Sequence, residues 1–359
     1  MRVKVGIIGL ILLGAIIYAV IHFVHNANDN LSAAIPTNTS ARSGAMNYGI
    51  AAGGGLTSDS PAVLNRRLAT MQALGVGWVR FDFSWAIIQP KNSISYNWTI
   101  TDRAVEAATA HHLKILGIID NTPAWARVTG CTSPHCQPAS PAAFGKFSGS
   151  VAAHYAHHGV HDWEIENEEN LVTAWLPMPN VATYAQILKS SFISIQKADS
   201  SAFVLIGGLS SGSSSTHYIT PNNFVNSLYA DGSKNFFDGI AIHPYSYPKL
   251  PTANDPNGPF ALRKVVVAHG DSAKPIWITE IGAPTDGPDH SYVTESFQTK
   301  ILTTSARLYN QPWLGPLFWF SDTDMGSSKT TSEDFFGLVA ANGQHKPAYN
   351  SLKAITSGN

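Results

Sequence analysis

The sequence predicts an α/β protein with a single (β/α)8 barrel, a TIM barrel, preceded by one N-terminal transmembrane helix. From residue 46 onward, eight short apolar runs alternate with helical patterns, which is typical of parallel β/α units. The glycine-rich run at 52–55 lacks the G-x-G-x-x-G spacing of a doubly wound sheet, the main competing architecture. Near the N-terminus, an apolar run of about twenty residues has the length of one membrane-spanning helix.

The predicted strands are short runs rich in apolar and β-branched residues, each bounded by turn residues. They are Tyr48–Ala52, Gly77–Phe81, Lys114–Ile119, Asp162–Glu166, Phe203–Gly207, Gly239–His243, Ile276–Glu280 and Pro316–Phe320.

A helical pattern follows each strand. The predicted helices are Pro61–Leu74, Thr101–His112, Ala142–His157, Val181–Ala198, Pro221–Ala230, Pro259–Ala268, Val293–Tyr309 and Pro347–Ile355. The first of them shows the expected caps, since Pro61 follows Ser60 at its start and Gly75 follows its end.

Residues 1–24 are predicted to anchor the chain in a membrane. Arg2 and Lys4 precede the apolar run from Val5 to Val24, and basic residues in that position place the N-terminus in the cytoplasm. A cleaved signal peptide is the alternative, and its apolar core is usually shorter, about 7–15 residues. Cleavage near Ser32 would release a secreted protein.

The remaining chain is predicted to be extracytoplasmic. Residues 25–43 lack periodicity and predict a flexible tether, and residues 44–359 form the barrel domain. Charged residues make up only 13% of the chain, against roughly 25% in ordinary soluble domains. The formal net charge is −1, so nucleic-acid binding has no electrostatic basis.

The only two cysteines, Cys131 and Cys136, lie in a loop rich in Gly, Pro and Ser. Outside the cytoplasm, a short disulfide that pins this loop is expected. A zinc site would need His135 and a further ligand, and the second Cys/His pair of such sites is missing.

Two of the predicted strands lead into glutamates, Glu168 and Glu280. A carboxylate at the end of a buried strand is costly unless it has a function. Functional side chains of a barrel collect at the carboxyl ends of the strands, so these two carboxylates are predicted to face each other across one pocket. A proton donor and a second carboxylate are the groups that cleave a glycosidic bond.

The motifs around these glutamates resemble those of the retaining glycoside hydrolases of clan A, families 39 and 5, in a compact barrel-only form. The pattern W-E-x-W-N-E-P-N at the fourth strand is matched at Trp163-Glu164, Asn167-Glu168 and Asn170. The pattern W-x-T-E-x-G at the seventh strand is matched at Trp277, Thr279-Glu280 and Gly282. With residues on strands two, six and eight, the resemblance extends over about residues 46–355.

The resemblance implies that Glu168 is the acid/base and Glu280 the nucleophile of a double displacement on a carbohydrate substrate. It requires no metal and no organic cofactor. The predicted substrate-binding residues are Arg80, Asn167, Trp125, His243, Tyr245 and Trp319.

Some of these residues have structural interpretations. An ion pair between Arg80 and Glu164 inside the barrel is favoured over a direct chemical role for Glu164. Core packing is the expected role of Trp78 and Trp277. His243 and Tyr245 are as consistent with orienting the glutamates as with contacting sugar.

Two residues depart from the family pattern, because Glu166 replaces an aromatic residue and Glu169 replaces a proline. They create a dense negative patch that either assists the acid/base or alters substrate recognition.

Two other function classes stay open. One is a non-catalytic, cell-surface carbohydrate-binding barrel, although the intact pair of glutamates argues against it. The other is a metal-dependent barrel hydrolase that uses His243 and nearby aspartates, although an early His-x-His pair is missing.

Overall fold

The computed structural model describes residues 47–212, 217–288 and 292–358. Its eight strands form a closed barrel in which each strand pairs in parallel with the next and the last pairs with the first. The predicted (β/α)8 barrel is confirmed. The strands are β1 Tyr48–Ala51, β2 Trp78–Asp82, β3 Lys114–Ile119, β4 Asp162–Asn167, β5 Phe203–Ser210, β6 Ile240–His243, β7 Ile276–Ile281 and β8 Leu314–Phe320.

Helices cover the outside of the barrel. They are Pro61–Leu74, Trp85–Ile88, Thr99–Ala110, Pro141–Tyr155, Val181–Ala198, Pro221–Ala230, Pro259–Ala268, Glu295–Leu308 and Pro347–Ser357. Four of them have the predicted bounds, and the single turn Trp85–Ile88 was not predicted because four residues carry no periodicity.

Local signals explain the sharp helix ends. Oγ of Ser60 accepts a hydrogen bond from the backbone N–H of Val63 at 3.4 Å, and Pro61 occupies the first turn. At the other end Gly75 has φ 72°, a left-handed conformation that glycine adopts without steric cost.

The apolar core has two layers. One lies between the strands and the helices, and the other fills the barrel interior. Within the barrel, Trp78 and Trp277 pack edge to face with ring centroids 5.4 Å apart, which confirms their predicted packing role. This apolar filling leaves the carboxyl ends of the strands to polar side chains.

The predicted anchor and tether lie within residues 1–46, outside the residues that the structure describes. Within the described ranges, no helix combines the length and the hydropathy needed to cross a bilayer.

Candidate active site

The two predicted glutamates meet at the same end of the barrel, on either side of His243. Nδ1 of His243 lies 3.0 Å from Oε1 of Glu168 and 3.7 Å from Oε2 of Glu280. Because one atom is this close to both, the two carboxylate oxygens are within about 7 Å of each other, a spacing near that of paired catalytic carboxylates. Both side chains are partly open to solvent, with 23% and 15% of their surface exposed.

Arg80 organises the carboxylates from β2. Its Nε and Nη2 donate to both oxygens of Glu164 at 2.9 and 2.8 Å, in a bidentate ion pair that is fully buried. Its Nη1 donates to Oε1 of Glu280 at 2.6 Å, and Nη2 also donates to Oδ1 of Asn167 at 2.7 Å. The predicted pairing of Arg80 with Glu164 is confirmed, and Asn167 keeps its Nδ2 group for other partners.

Glu280 is held in its ionised form. The hydroxyl of Tyr245 donates to its Oε2 at 2.8 Å, opposite the oxygen that Arg80 contacts. Burial alone would raise the pKa of the Glu280 carboxyl, but the charges of His243 and Arg80, together with these hydrogen bonds, lower it below its ordinary value. An ionised carboxylate is what a nucleophile requires.

His243 itself is completely buried, so the structure assigns it to the two glutamates rather than to a sugar. Its Nε2 lies 3.1 Å from Oγ1 of Thr279, which fixes the ring. Burial alone would lower the pKa of His243, but Glu280 and Glu168 raise it above its ordinary value. The two glutamates therefore favour the protonated form of His243.

Glycine at position 208 makes room for this histidine. A Cβ there would overlap Nε2 of His243 and would lie 2.8 Å from Oε1 of Glu164. The backbone N–H of Gly208 donates to that same glutamate oxygen at 2.7 Å.

The backbone at the end of β4 is unusual. Glu166 and Glu168 both have positive φ, 65° and 53°, a left-handed conformation that residues with a side chain rarely adopt. Each such residue costs on the order of 1–3 kcal/mol and needs surrounding structure to hold it. Two backbone hydrogen bonds hold Glu168 here: its N–H donates to the carbonyl of Gly208 at 3.1 Å, and its carbonyl accepts from the N–H of Leu171 at 2.8 Å.

A pocket of about 150 Å³ lies beside Glu280. Its wall is formed by the ends of β1 to β4 and β7 and by the loops that follow. The lining residues are Gly53, Gly54, Arg80, Asp82, Ile118, Asp120, Asn121, His135, Glu166, Asn167, Ala174 and Glu280.

The disulfide joins Cys131 to Cys136, with Cα atoms 6.0 Å apart. The loop that it closes contains His135, one of the pocket-lining residues. The described residues contain no group of three or more His, Cys, Asp or Glu side chains arranged to hold a metal ion.

The two predicted sugar-stacking tryptophans differ in their placement. Trp125 follows β3 and is 37% exposed, and its Nε1 donates to the carbonyl of Gln89 at 2.8 Å. It does not line the pocket beside Glu280. Trp319 is only 1% exposed and packs in the layer between strands and helices. Its prediction as a sugar-binding residue is therefore corrected, because side chains alternate along β8 and Trp319 faces away from the pocket.

Phe320, like Phe318, lies on the inward face of β8. Its ring packs against Phe336 with centroids 5.2 Å apart, and Phe336 in turn contacts the rings of Tyr245 and Tyr247. Tyr245 was among the predicted site residues, whereas Phe320 and Phe336 were not. The period-two alternation of β8, which groups Phe318 with Phe320, was the signal that could have found Phe320.

Comparison with known proteins adds evidence on the fold. No protein-family model matches the sequence, and no curated protein sequence matches it. Many solved structures do match. The structural neighbours of this protein are clan A glycoside hydrolases of families 39 and 5.

A family 39 glycoside hydrolase from Bacteroides cellulosilyticus WH2 superposes with a TM-score of 0.70 at 20% identity, over 87% of this chain and 63% of that one. A monomeric β-xylosidase from Caulobacter crescentus CB15 gives 0.69 at 17% identity, over 88% and 69% of the two chains. The GH5_18 protein of Streptomyces cattleya, solved with GlcNAc, gives 0.62 at 16% identity, over 88% and 80%. This chain thus spans less than two thirds of the Bacteroides protein, and at these identities the likeness establishes the fold.

Proposed function

We propose that this protein is a retaining glycoside hydrolase that cleaves O-glycosidic bonds of poly- or oligosaccharides by double displacement. The observation that carries the proposal is the approach of Glu168 and Glu280 to the same atom of His243, at 3.0 and 3.7 Å. Retaining enzymes hold their carboxyl groups about 5–5.5 Å apart and inverting enzymes about 6.5–9.5 Å apart. An upper bound of about 7 Å between the two oxygens favours the retaining class.

The residues support two chemical steps. In the first, Glu280 attacks the anomeric carbon while the carboxyl proton of Glu168 passes to the leaving oxygen, so the C–O bond breaks and a glycosyl ester of Glu280 forms. In the second, Glu168 removes a proton from water, which attacks the same carbon and releases Glu280. Two inversions leave the sugar with its original configuration.

The surroundings of Glu280 suit the nucleophile role. Arg80 and Tyr245 each donate to one of its oxygens, so its lone pairs are oriented and its charge is stabilised before the substrate arrives. The structural neighbours support the same reaction class, since they are glycoside hydrolases with this barrel.

We further propose that the domain is extracytoplasmic and tethered to the cell membrane by the apolar segment Val5–Val24. Protease added to intact cells should digest the barrel and leave Arg2 and Lys4 protected. A soluble protein that begins near residue 34 would show a cleaved signal instead.

Replacing each glutamate by alanine tests the two roles with aryl glycosides of several sugars. Glu280→Ala should lower the activity by several orders of magnitude on every substrate, because no glycosyl ester can form. Glu168→Ala should still release an activated aryl group, which needs no proton, and then stall for lack of a base. Azide needs no base, so it should restore turnover of Glu168→Ala and give a glycosyl azide with retained configuration.

The same experiment separates hydrolysis from the runner-up function, a non-catalytic carbohydrate-binding barrel. Wild-type activity in either variant, or failure of azide to rescue Glu168→Ala, would contradict the assigned pair. Sugar binding without turnover by the wild-type protein would favour the binding function.

A further inference from the structure

The pocket beside Glu280 has more acidic groups than its neighbours neutralise. Four carboxyl side chains line it, those of Asp82, Asp120, Glu166 and Glu280. The guanidinium of Arg80 also lines it, but all three of its nitrogens already donate to Glu164, Glu280 or Asn167. No nitrogen of Arg80 therefore donates to the carboxyl groups of Asp82, Asp120 or Glu166.

In two of these groups, one carboxyl oxygen also lacks a hydrogen bond. Oδ1 of Asp120 and Oε1 of Glu166 are buried, and no protein group bonds to either atom. Their residues are only 8% and 7% exposed. Buried polar atoms are nearly always satisfied in folded proteins, so orphaned oxygens that line a pocket indicate a ligand that donates hydrogen bonds.

The protonation of the pocket agrees with a missing positive charge. Burial raises the pKa of Glu166 to about 8 and, despite the nearby Arg80, that of Asp82 to about 6. Burial, reinforced by Asp82 and Glu166, also raises the pKa of Asp120. Burial therefore favours the protonated forms of these carboxyls, and a bound cation would favour their ionised forms.

An organic cation fits this pocket better than a metal ion. The described residues contain no cluster of acidic or histidine side chains with metal-binding geometry. A primary ammonium offers three donors and a full charge, whereas a sugar hydroxyl offers one donor and no charge. Charge-assisted hydrogen bonds to carboxylates are roughly twice as strong as neutral ones.

We propose that Asp120 and Glu166 form a subsite for the protonated amine of an amino sugar. The carboxyl groups come from the ends of β3 and β4, which are adjacent in the barrel, and they line the same pocket as the Glu280 carboxylate. The inference rests on the proposed function, because it takes this pocket as the seat of the sugar ring. It assigns the departure at Glu166 to substrate recognition.

Matched sugars test this subsite by isothermal titration with the full-length protein at pH 6. Three triplets are compared, each with an amino, an N-acetylamino and a hydroxyl form: the glucosamine, galactosamine and mannosamine series. At least one amino sugar should bind at least tenfold more tightly than both of its counterparts. The acetyl group removes the charge and the hydroxyl form never has it, so both should bind weakly.

Variants of the two carboxyl residues then test whether these residues produce the preference for an amino sugar. Glu166→Gln and Asp120→Asn should each reduce it at least tenfold, with circular dichroism to check folding. Glu333→Gln is the matched control, because Glu333 contributes charge near Glu168 and Glu280 but does not line the pocket. The control should keep the preference.

Equal or weaker binding of all three amino sugars would overturn the subsite, as would a preference that survives both pocket variants. Binding of Ca²⁺ alone without an amine preference would do the same. Hydrolysis of neutral aryl glycosides, without preferential binding of any amino sugar, would contradict the subsite and leave the proposed function supported. Selective binding of an amino sugar without hydrolysis of any glycoside would contradict the proposed function and support the subsite.

Discussion

Arg80 and Glu280 are 200 positions apart in the sequence, and Nη1 of the first donates to Oε1 of the second at 2.6 Å. The same guanidinium makes a buried bidentate pair with Glu164. One side chain therefore links the ends of β2, β4 and β7. A buried charge network of this kind fixes geometry, and it is costly to break because its partners are left uncompensated.

Arg80→Met should destabilise the fold and abolish activity together. Glu164 and Glu280 would lose their counter-charge, so the free energy of unfolding should fall by about 3–5 kcal/mol. In the folded fraction kcat should fall by at least about 100-fold, because the nucleophile loses its orientation. Urea unfolding and kinetics under folding conditions measure the two effects.

Arg67→Met is the matched control. Arg67 is also buried and pairs with Asp322 at 2.6 Å, but it does not contact Glu280. The Arg67→Met variant should lose a similar amount of unfolding free energy, but its kcat should fall much less than that of Arg80→Met. Equal kcat losses in the two variants would reduce Arg80 to a purely structural residue.

Tyr245→Phe should weaken the nucleophile without removing it. A hydrogen bond to a charged group contributes about 1.5–3 kcal/mol, so kcat/KM should fall about 10- to 100-fold. The hydroxyl of Tyr245 lowers the pKa of Glu280, and its loss should move the acidic limb of the pH profile to higher pH. Tyr247→Phe serves as the control, because its ring packs on Phe336 while its hydroxyl does not contact Glu280. An unmoved acidic limb in Tyr245→Phe would contradict the prediction.

Gly208→Ala should displace His243 and lower kcat/KM by about 100-fold or more. The added Cβ would overlap the imidazole, which holds both glutamates, and small displacements of catalytic groups carry penalties of that size. Gly212→Ala, in the segment after β5, adds the same methyl group where no atom of the described residues lies within 4 Å. The two variants should differ sharply, and similar kinetics in both would show that His243 tolerates the shift.

His243→Gln should reveal a stability contribution that depends on pH. The pKa of His243 is raised in the folded protein, so its contribution is complete below its ordinary value of 6.5 and is lost as pH rises through the higher folded value. The pKa of Glu280 is lowered from 4.5, so its contribution is present above that value and is lost as pH falls through the lower folded value. The loss of unfolding free energy in the variant should be largest near pH 5–6 and should shrink toward pH 9. Urea unfolding of both proteins across this range measures the loss, and a loss that grows with pH would have the wrong sign.

The sequence by itself determined the barrel. Alternating apolar runs and capped helices are local signals, so the order of the elements and several helix bounds, such as Val181–Ala198, were readable without any long-range information. The carboxyl-end rule for barrels then placed Glu168 and Glu280 on one face. The pairing of Arg80 with Glu164 followed from the cost of burying an isolated charge.

Tertiary structure decided which side chains share the site. Trp319 was chosen by residue type, but the pleat of β8 turns it outward and turns Phe320 inward. Positive φ at Glu166 and Glu168 breaks the regular alternation at the end of β4, so periodicity could not predict where these two glutamates point. Asp120 and Glu166 meet in one pocket because neighbouring strands align in register, with Ile119 opposite Ile165. Hydrophobic periodicity is a property of each segment and specifies the fold, whereas the distances between groups on different strands depend on closure of the whole barrel.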